Sequence, residues 1–428
     1  MKKNILLPLS LWLFAIGLNA QQIRLQYFRS NDKNGLNFFE TSKIDSVTFN
    51  DVKVRVGGDF AMQFQGINQS NKANNLVELG SNFNLPTANL NLDVQLIDGV
   101  RMHMRTYLSS QHHEDSWVKG GHIQIDKLDF VKPGFMKGLM DYTTITIGLD
   151  EFNYGDAHFR RTDNARAIFN PFIGNYIMDA FSTEAFGEVT VQKNGLLVVV
   201  GVTNGKLNQS VVVTNQSDNK PSFYGKLGFD KQLNDDLRVR LTGSIYSNQG
   251  TTTGTWLYGG DLSGARYYNV LHTQPDSLGN TEGTEFEGRY NARFKKLTAI
   301  QVNPFIKFKG FEFFGIYELA SGSDEITTPV ADKEGAFIQL AGELVYRFGT
   351  NERFYIAGRY NTVQGKTLES ATEDLKINRI NVGGGWFLSK NIVMKAEYVK
   401  QQYTGNAWTG RFAGAKFDGF NIEAAISF

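Results

Sequence analysis

The residues best equipped for chemistry gather in one long segment, 150–183, where His158, Arg160, Arg161 and Arg166 are followed by Phe169, Pro171, Phe172 and Ile173. Arginine stays charged and can hold a carboxylate or phosphate through two hydrogen bonds, so such a cluster suits the gripping or steering of anions. Asp150, Glu151, Asp156, Asp163 and Asp179 share the segment and are able to neutralise it. Two readings stand level: a basic constriction that faces a solute, or an external loop whose charges pair locally. His112-His113-Glu114-Asp115 combines metal-ligand residue types, but neighbours in a loop are ordinarily just solvated, and neither a metal nor another cofactor is expected. The sequence has no Gly-x-Ser-x-Gly and no Gly-x4-Gly-Lys-Ser/Thr, so no nucleophile elbow or phosphate-cradling loop is indicated. Gly383-Gly384-Gly385 is better explained by strand curvature or close packing.

The elements that must position these residues announce themselves by alternation. Phe420, Ile422, Ala424, Ile426 and Phe428 are apolar at every second place, with Asn421, Glu423, Ala425 and Ser427 between them. Leu237, Val239, Leu241, Gly243 and Ile245 alternate in the same way with Arg238, Arg240, Thr242 and Ser244, and Val52, Val54 and Val56 with Lys53 and Arg55. A helix would scatter both sets around its circumference, whereas a strand separates them onto two faces. One face is greasy and the other carries charge, as in a wall with lipid outside and water inside. On the polar face fall Arg55, Arg101, Arg105, Arg238, Arg240, Arg347, Arg359 and Arg379, together with Lys53, His103 and Lys395. Opposing them are Asp59, Asp93, Glu188, Glu312, Glu318, Glu343, Glu397 and Glu423. The balance leans slightly basic and predicts a weak anion preference.

Strands are expected over 51–66, 88–97, 100–109, 121–131, 143–150, 184–193, 195–204, 222–230, 237–248, 298–308, 311–320, 336–348, 354–363, 375–388, 391–402 and 416–428. Tight turns, such as Asp98-Gly99, Asn194-Gly195 and Lys309-Gly310, alternate with long polar segments. That is the grammar of an all-β, antiparallel transmembrane barrel of about 16 strands, with short turns toward the periplasm and long loops outward. Two stretches fit less well: 132–142 is long for a periplasmic turn, with Phe135, Met136, Leu139 and Met140 suggesting a short helix at the rim. The stretch 21–50 is taken as a periplasmic N-terminal segment, either an arm or an ingress into the lumen. Phe311, Phe313, Tyr346, Phe348, Phe354, Trp386 and Phe428 are candidates for interfacial girdles.

The ends and the composition agree with export. Lys2 and Lys3 precede an apolar run from Ile5 to Leu18 and then Asn19-Ala20, the pattern of a secretory signal peptide over 1–20, with the barrel occupying 51–428. There are 0 cysteines, which excludes disulfides, thiolate chemistry and a lipoprotein anchor. Lys plus Arg number 44 and Asp plus Glu 43, so no basic excess points to nucleic acid. Mean hydropathy is −0.30, and after Leu18 no apolar stretch approaches the roughly 20 residues of a membrane helix.

Together, the leader, the alternating segments and the terminal strand ending in Phe428 resemble the outer-membrane porins. More narrowly, 35–43, then 54–65 (VRVGGDFAMQFQ) and 155–175 (GDAHFRRTDNARAIFNPFIGN) resemble Bacteroidota porins, with a weaker similarity to phosphate-selective porins whose phosphate ligands are not recognisable here. The resemblance implies a barrel in the outer membrane, contact with lipids, recognition of the C-terminal strand by the barrel-assembly machinery, a homotrimer, and passive diffusion of small hydrophilic solutes instead of catalysis. The alternatives are a non-conducting barrel that displays its loops to a partner and an outer-membrane hydrolase; no histidine has an obvious partner at strand spacing to support the latter.

Overall fold

The computed structural model describes residues 23–428 except 46, 109–116, 163–165, 208–210, 212–219, 251–254, 260–266, 284–286, 324–333 and 369–370, and of 84–87, 108 and 117 the backbone only. The leader, Asp163 and the His112-His113-Glu114-Asp115 cluster therefore lie outside the described residues.

Sixteen strands form one closed ring. They are β1 (Lys53–Ser70), β2 (Asn82–Ile97), β3 (Val100–Leu108), β4 (Trp117–Ile125), β5 (Thr143–Glu151), β6 (Thr183–Lys193), β7 (Leu196–Thr203), β8 (Ser222–Gln232), β9 (Leu237–Asn248), β10 (Lys296–Phe308), β11 (Phe311–Ser323), β12 (Glu334–Phe348), β13 (Phe354–Lys366), β14 (Leu375–Ser389), β15 (Ile392–Tyr403) and β16 (Lys416–Ser427). Each pairs antiparallel with its neighbours in sequence, and β1 closes on β16 in a register that runs from Asp59 opposite Ser427 to Ser70 opposite Lys416. The expected alternation is what closes the wall. Gln339 and Glu343 on β12 are fully buried, while Leu340 and Leu344, the residue after each, are 48% and 63% exposed on the outside.

Turn chemistry sets the two ends apart. Asn194 and Gly195 both take positive φ (53° and 89°), as a two-residue hairpin turn requires. At the same end, rings of Phe311, Tyr346, Phe348, Phe354 and Trp386 form a continuous outer row with centroids 4.5 to 5.9 Å apart. The connection between β4 and β5 contains a single helical turn, Lys137–Met140, that buries Met140 and leaves Phe135, Met136 and Leu139 exposed.

Several strand boundaries differ from expectation, and β4 runs over Trp117–Ile125 instead of 121–131. β2 begins at Asn82, well before 88, because the register against β1 jumps from Ala61–Thr87 to Gln63–Asn84. That irregularity accommodates Pro86, which has no N–H to offer a ladder and so reads as a loop residue in sequence. β1 likewise runs on to Ser70, since β16 continues to pair with it.

At the seam, Gly58 and Phe428 exchange two backbone hydrogen bonds of 3.0 Å, and the Ser427 hydroxyl donates to Asp59. A Cβ on Gly57 would stand 2.6 Å from the Phe428 carbonyl oxygen, so closure depends on that glycine. Gly57→Val is expected to cost about 1–3 kcal/mol by overpacking, lowering the temperature at which the compact band in an SDS gel converts to the unfolded one. Gly243→Val, where a Cβ meets nothing within 4 Å, should leave that temperature nearly unchanged.

Candidate functional site

The connection between β5 and β6, residues 152–182, turns back into the barrel. Its 3-10 turns Ala157–Arg160 and Ala167–Phe169 are buried. A loop inside the barrel must satisfy its backbone polar groups, and the inward side chains of β9 to β15 do this. Ser244 accepts from Gly155 N (3.1 Å), Asn303 from Asp156 N (2.9 Å), Asn361 from Ile177 N (2.7 Å) and Glu397 from Ile173 N (2.8 Å). Gln339 accepts from Met178 N (2.9 Å) and donates back to Met178 O (2.8 Å). Charge completes the attachment: Glu343 binds Arg160 at 2.5 Å and Arg359 at 2.6 Å and accepts from the Tyr176 hydroxyl at 3.1 Å. Lys395 bonds Glu423 (2.7 Å) and the Ala167 carbonyl (2.9 Å).

The N-terminal segment also lies inside, across the tight-turn mouth. Lys33 N donates to Lys390 O (2.7 Å), Asn37 donates to Glu312 (2.6 Å) and Lys43 pairs with Asp126 (3.0 Å). Phe39 packs edge-on between Phe159 and Phe305, at 5.7 and 5.4 Å. Of the two courses open to this segment, arm or ingress, residues 25–45 take the second. Glu40 is buried there, which raises its pKa, but Arg240 and Lys226 outweigh burial and bring it down to about 2.

Between these two insertions and the inner face of β1 to β6 a cavity of 220 Å³ remains. It divides the arginines expected to line the lumen. Arg55, Arg101 and Arg105, with His158 and Arg166 of the loop, face the cavity. Arg160, Arg161, Arg238, Arg240, Arg347, Arg359 and Arg379 also point inward but are spent elsewhere. Arg161 binds Asp179 (2.6 Å), Arg238 binds Asp230 (2.7 Å), Arg240 binds Asp156 (2.8 Å) and Arg347 binds Glu312 (2.8 Å). Arg379 donates to Gln401 and to Asn175 O, both at 2.6 Å. The expected constriction and lumen-lining cations thus separate into two groups, and of those away from the cavity Arg160, Arg240, Arg359 and Arg379 fasten the loop to the wall. Gly385 serves the same packing, leaving room for the Tyr355 ring, whose hydroxyl donates to Pro171 O at 3.0 Å.

The histidines require a correction. His103 does have a partner, Asp93, at 2.7 Å, and His122 bonds Asp150 at 3.0 Å. Asp93 sits opposite His103 in the β2–β3 register, so the pairing is across strands and invisible along one strand. His103 Nε2 has no hydrogen-bond partner, and no hydroxyl is bonded to either ring among the described residues. Sequence reasoning missed His122, although parity with Gln124 would have placed it inward. It also missed Arg29, which no alternation could have found.

Glu343 offers the sharpest test of how the loop is held. Glu343→Leu strands two buried guanidinium groups, Arg160 and Arg359, and breaking a buried pair from one side costs about 3–5 kcal/mol. Thermal unfolding in detergent, followed by circular dichroism, should show a lowered midpoint.

No protein-family model and no curated protein matches the sequence. Solved structures do match. The anion-selective porin from Comamonas acidovorans aligns with TM-score 0.53 and 9% identity over 88% of this chain and 100% of its own. The trimer form of OmpT, an outer membrane protein of Vibrio cholerae, aligns with TM-score 0.52 and 11% identity over 89% and 100%. The outer membrane channel DcaP of Acinetobacter baumannii aligns with TM-score 0.50 and 11% identity over 88% and 97%. The chain therefore has the closed antiparallel barrel fold of outer-membrane porins and channels.

Proposed function

We propose that the protein is an outer-membrane pore that passes small hydrophilic solutes passively, and that they move along the β1 to β6 wall instead of the barrel axis. The observation that carries this reading is the placement of the cavity. The loop is fastened to β9 to β15 by its own backbone, while the facing wall keeps Arg55, Arg101, His103, Arg105 and His122 turned toward open space. Charged side chains around a narrow aqueous path select ions, and His158 and Arg166 are the loop residues at its edge. In this reading the tight turns face the periplasm, the leader directs export, and the last strand is read by the assembly machinery. A homotrimer follows the trimer form of the Vibrio cholerae structure.

Affiliation with the Bacteroidota porins is proposed from the three resembling stretches themselves, which meet in the structure. Ala61 of β1 packs with Ala167, Ile168, Phe169 and Phe172 of the loop, and Leu36 packs against the same cluster. They form one structural unit around the cavity.

The cavity lining contains as many carboxylates as arginines, five of each. The carboxylates are nonetheless engaged: Asp93 by Arg55 and His103, Asp150 by His122 and Arg105, Glu188 by Tyr224 and Thr190. Arg101 Nε and His103 Nε2 have no hydrogen-bond partner. With these carboxylates engaged, the arginines that line the cavity favour a weak anion preference. In planar bilayers the purified protein should give single channels whose reversal potential in a salt gradient lies toward the anion. Thr146→Trp, at the cavity, should lower conductance about twofold or more by narrowing the path, whereas Ile147→Trp, on the outer face, should not. Silent bilayers would favour the display barrel.

A further inference from the structure

The N-terminal segment contributes a cation of its own to the cavity. Arg29 lines it, and its guanidinium is held rigidly by neutral groups. Nε and Nη2 donate to the Gly35 carbonyl at 3.1 and 2.9 Å, Nη1 and Nη2 donate to the Phe159 carbonyl at 3.2 Å each, and the plane lies 4.0 Å over the Phe169 ring. Among the described residues no carboxylate forms an ion pair with it. The contrast with its neighbours is sharp: Arg55 has Asp93, Arg105 has Asp150 and Arg166 has Glu151. Arg101 faces Asp126 at 3.8 Å, and that carboxylate already binds Lys43 at 3.0 Å.

Glu151 on the cavity wall acts on Arg29 at a distance but pairs with Arg166. A guanidinium at the edge of an aqueous cavity with no carboxylate bonded to it draws anions from solution, in a field that the low-dielectric walls of a narrow path strengthen. The clamp by two carbonyls and a ring removes the side-chain entropy that ordering a free arginine would cost. We propose that Arg29 is the specificity-determining residue of the passage, favouring small anions that carry a carboxylate or an inorganic oxyanion. The assignment rests on the pore reading above and deepens it, because it gives the selective charge to the segment ahead of the barrel, apart from the wall and the inward loop. The segment is then part of the filter.

The absence of cysteine from all 428 residues allows the charge to be written onto a folded channel. Arg29→Cys is inserted into planar bilayers and its reversal potential is measured in a potassium chloride gradient before and after reaction with aminoethyl or sulfonatoethyl methanethiosulfonate. The unreacted variant should lose the anion preference of the parent by about twofold in permeability ratio. The cationic reagent should restore it and the anionic reagent should turn it toward cations, with Arg29→Lys close to the parent. Lys137→Ala serves as a control, since Lys137 pairs with Asp141 on the exposed helical turn, away from the cavity. A reversal potential that neither reagent moves in a conducting, labelled Arg29→Cys channel overturns the assignment and leaves the pore reading standing. A parent protein that never conducts overturns the pore reading and this assignment with it.

Discussion

The whole molecule depends on backbone pairing that runs around the ring without a gap. A wall with an apolar outer surface has no solvent on that side to satisfy an unpaired N–H or C=O, so the last strand has to find the first. Here that requirement is met between β1 and β16, where Phe428 reaches Gly58. Alternation follows from the same constraint. Once the backbone is committed to the ladder, side chains can point only in or out, and each strand must be apolar on one face and polar on the other.

The inward polar face then has two fates. Against β9 to β15 it acts as a rack whose amides and carboxylates bind the backbone of residues 152–182 and the cations of Arg160 and Arg359. Against β1 to β6 the two insertions leave a cavity between themselves and the wall. Buried ion pairs seldom add much net stability, because desolvation offsets attraction. Their value here is positional, since the pairs in which Glu343 and Asp156 take part fix which way the loop leans.

Much of the fold was legible. Period-two alternation and turn residues placed sixteen strands, and the error at the start of β2 fell where a local signal competed with pairing. Pro86 argued for a loop, yet β2 absorbs it at an irregularity. The candidate site was legible only in part. Inward orientation of Arg55, Arg101 and Arg105 follows from parity, but the partners of His103 and His122 lie across strand boundaries, and register between strands is not a property of any one strand.

By itself, then, the sequence determined the barrel, its strand count and which face of each strand meets water, because those follow from periodicity along a single chain. Only the tertiary structure decided which inward charges line the cavity. That outcome depends on where two insertions settle inside the ring, and it turns on contacts such as Arg160 with Glu343 and Arg29 with Phe159, between residues far apart in sequence.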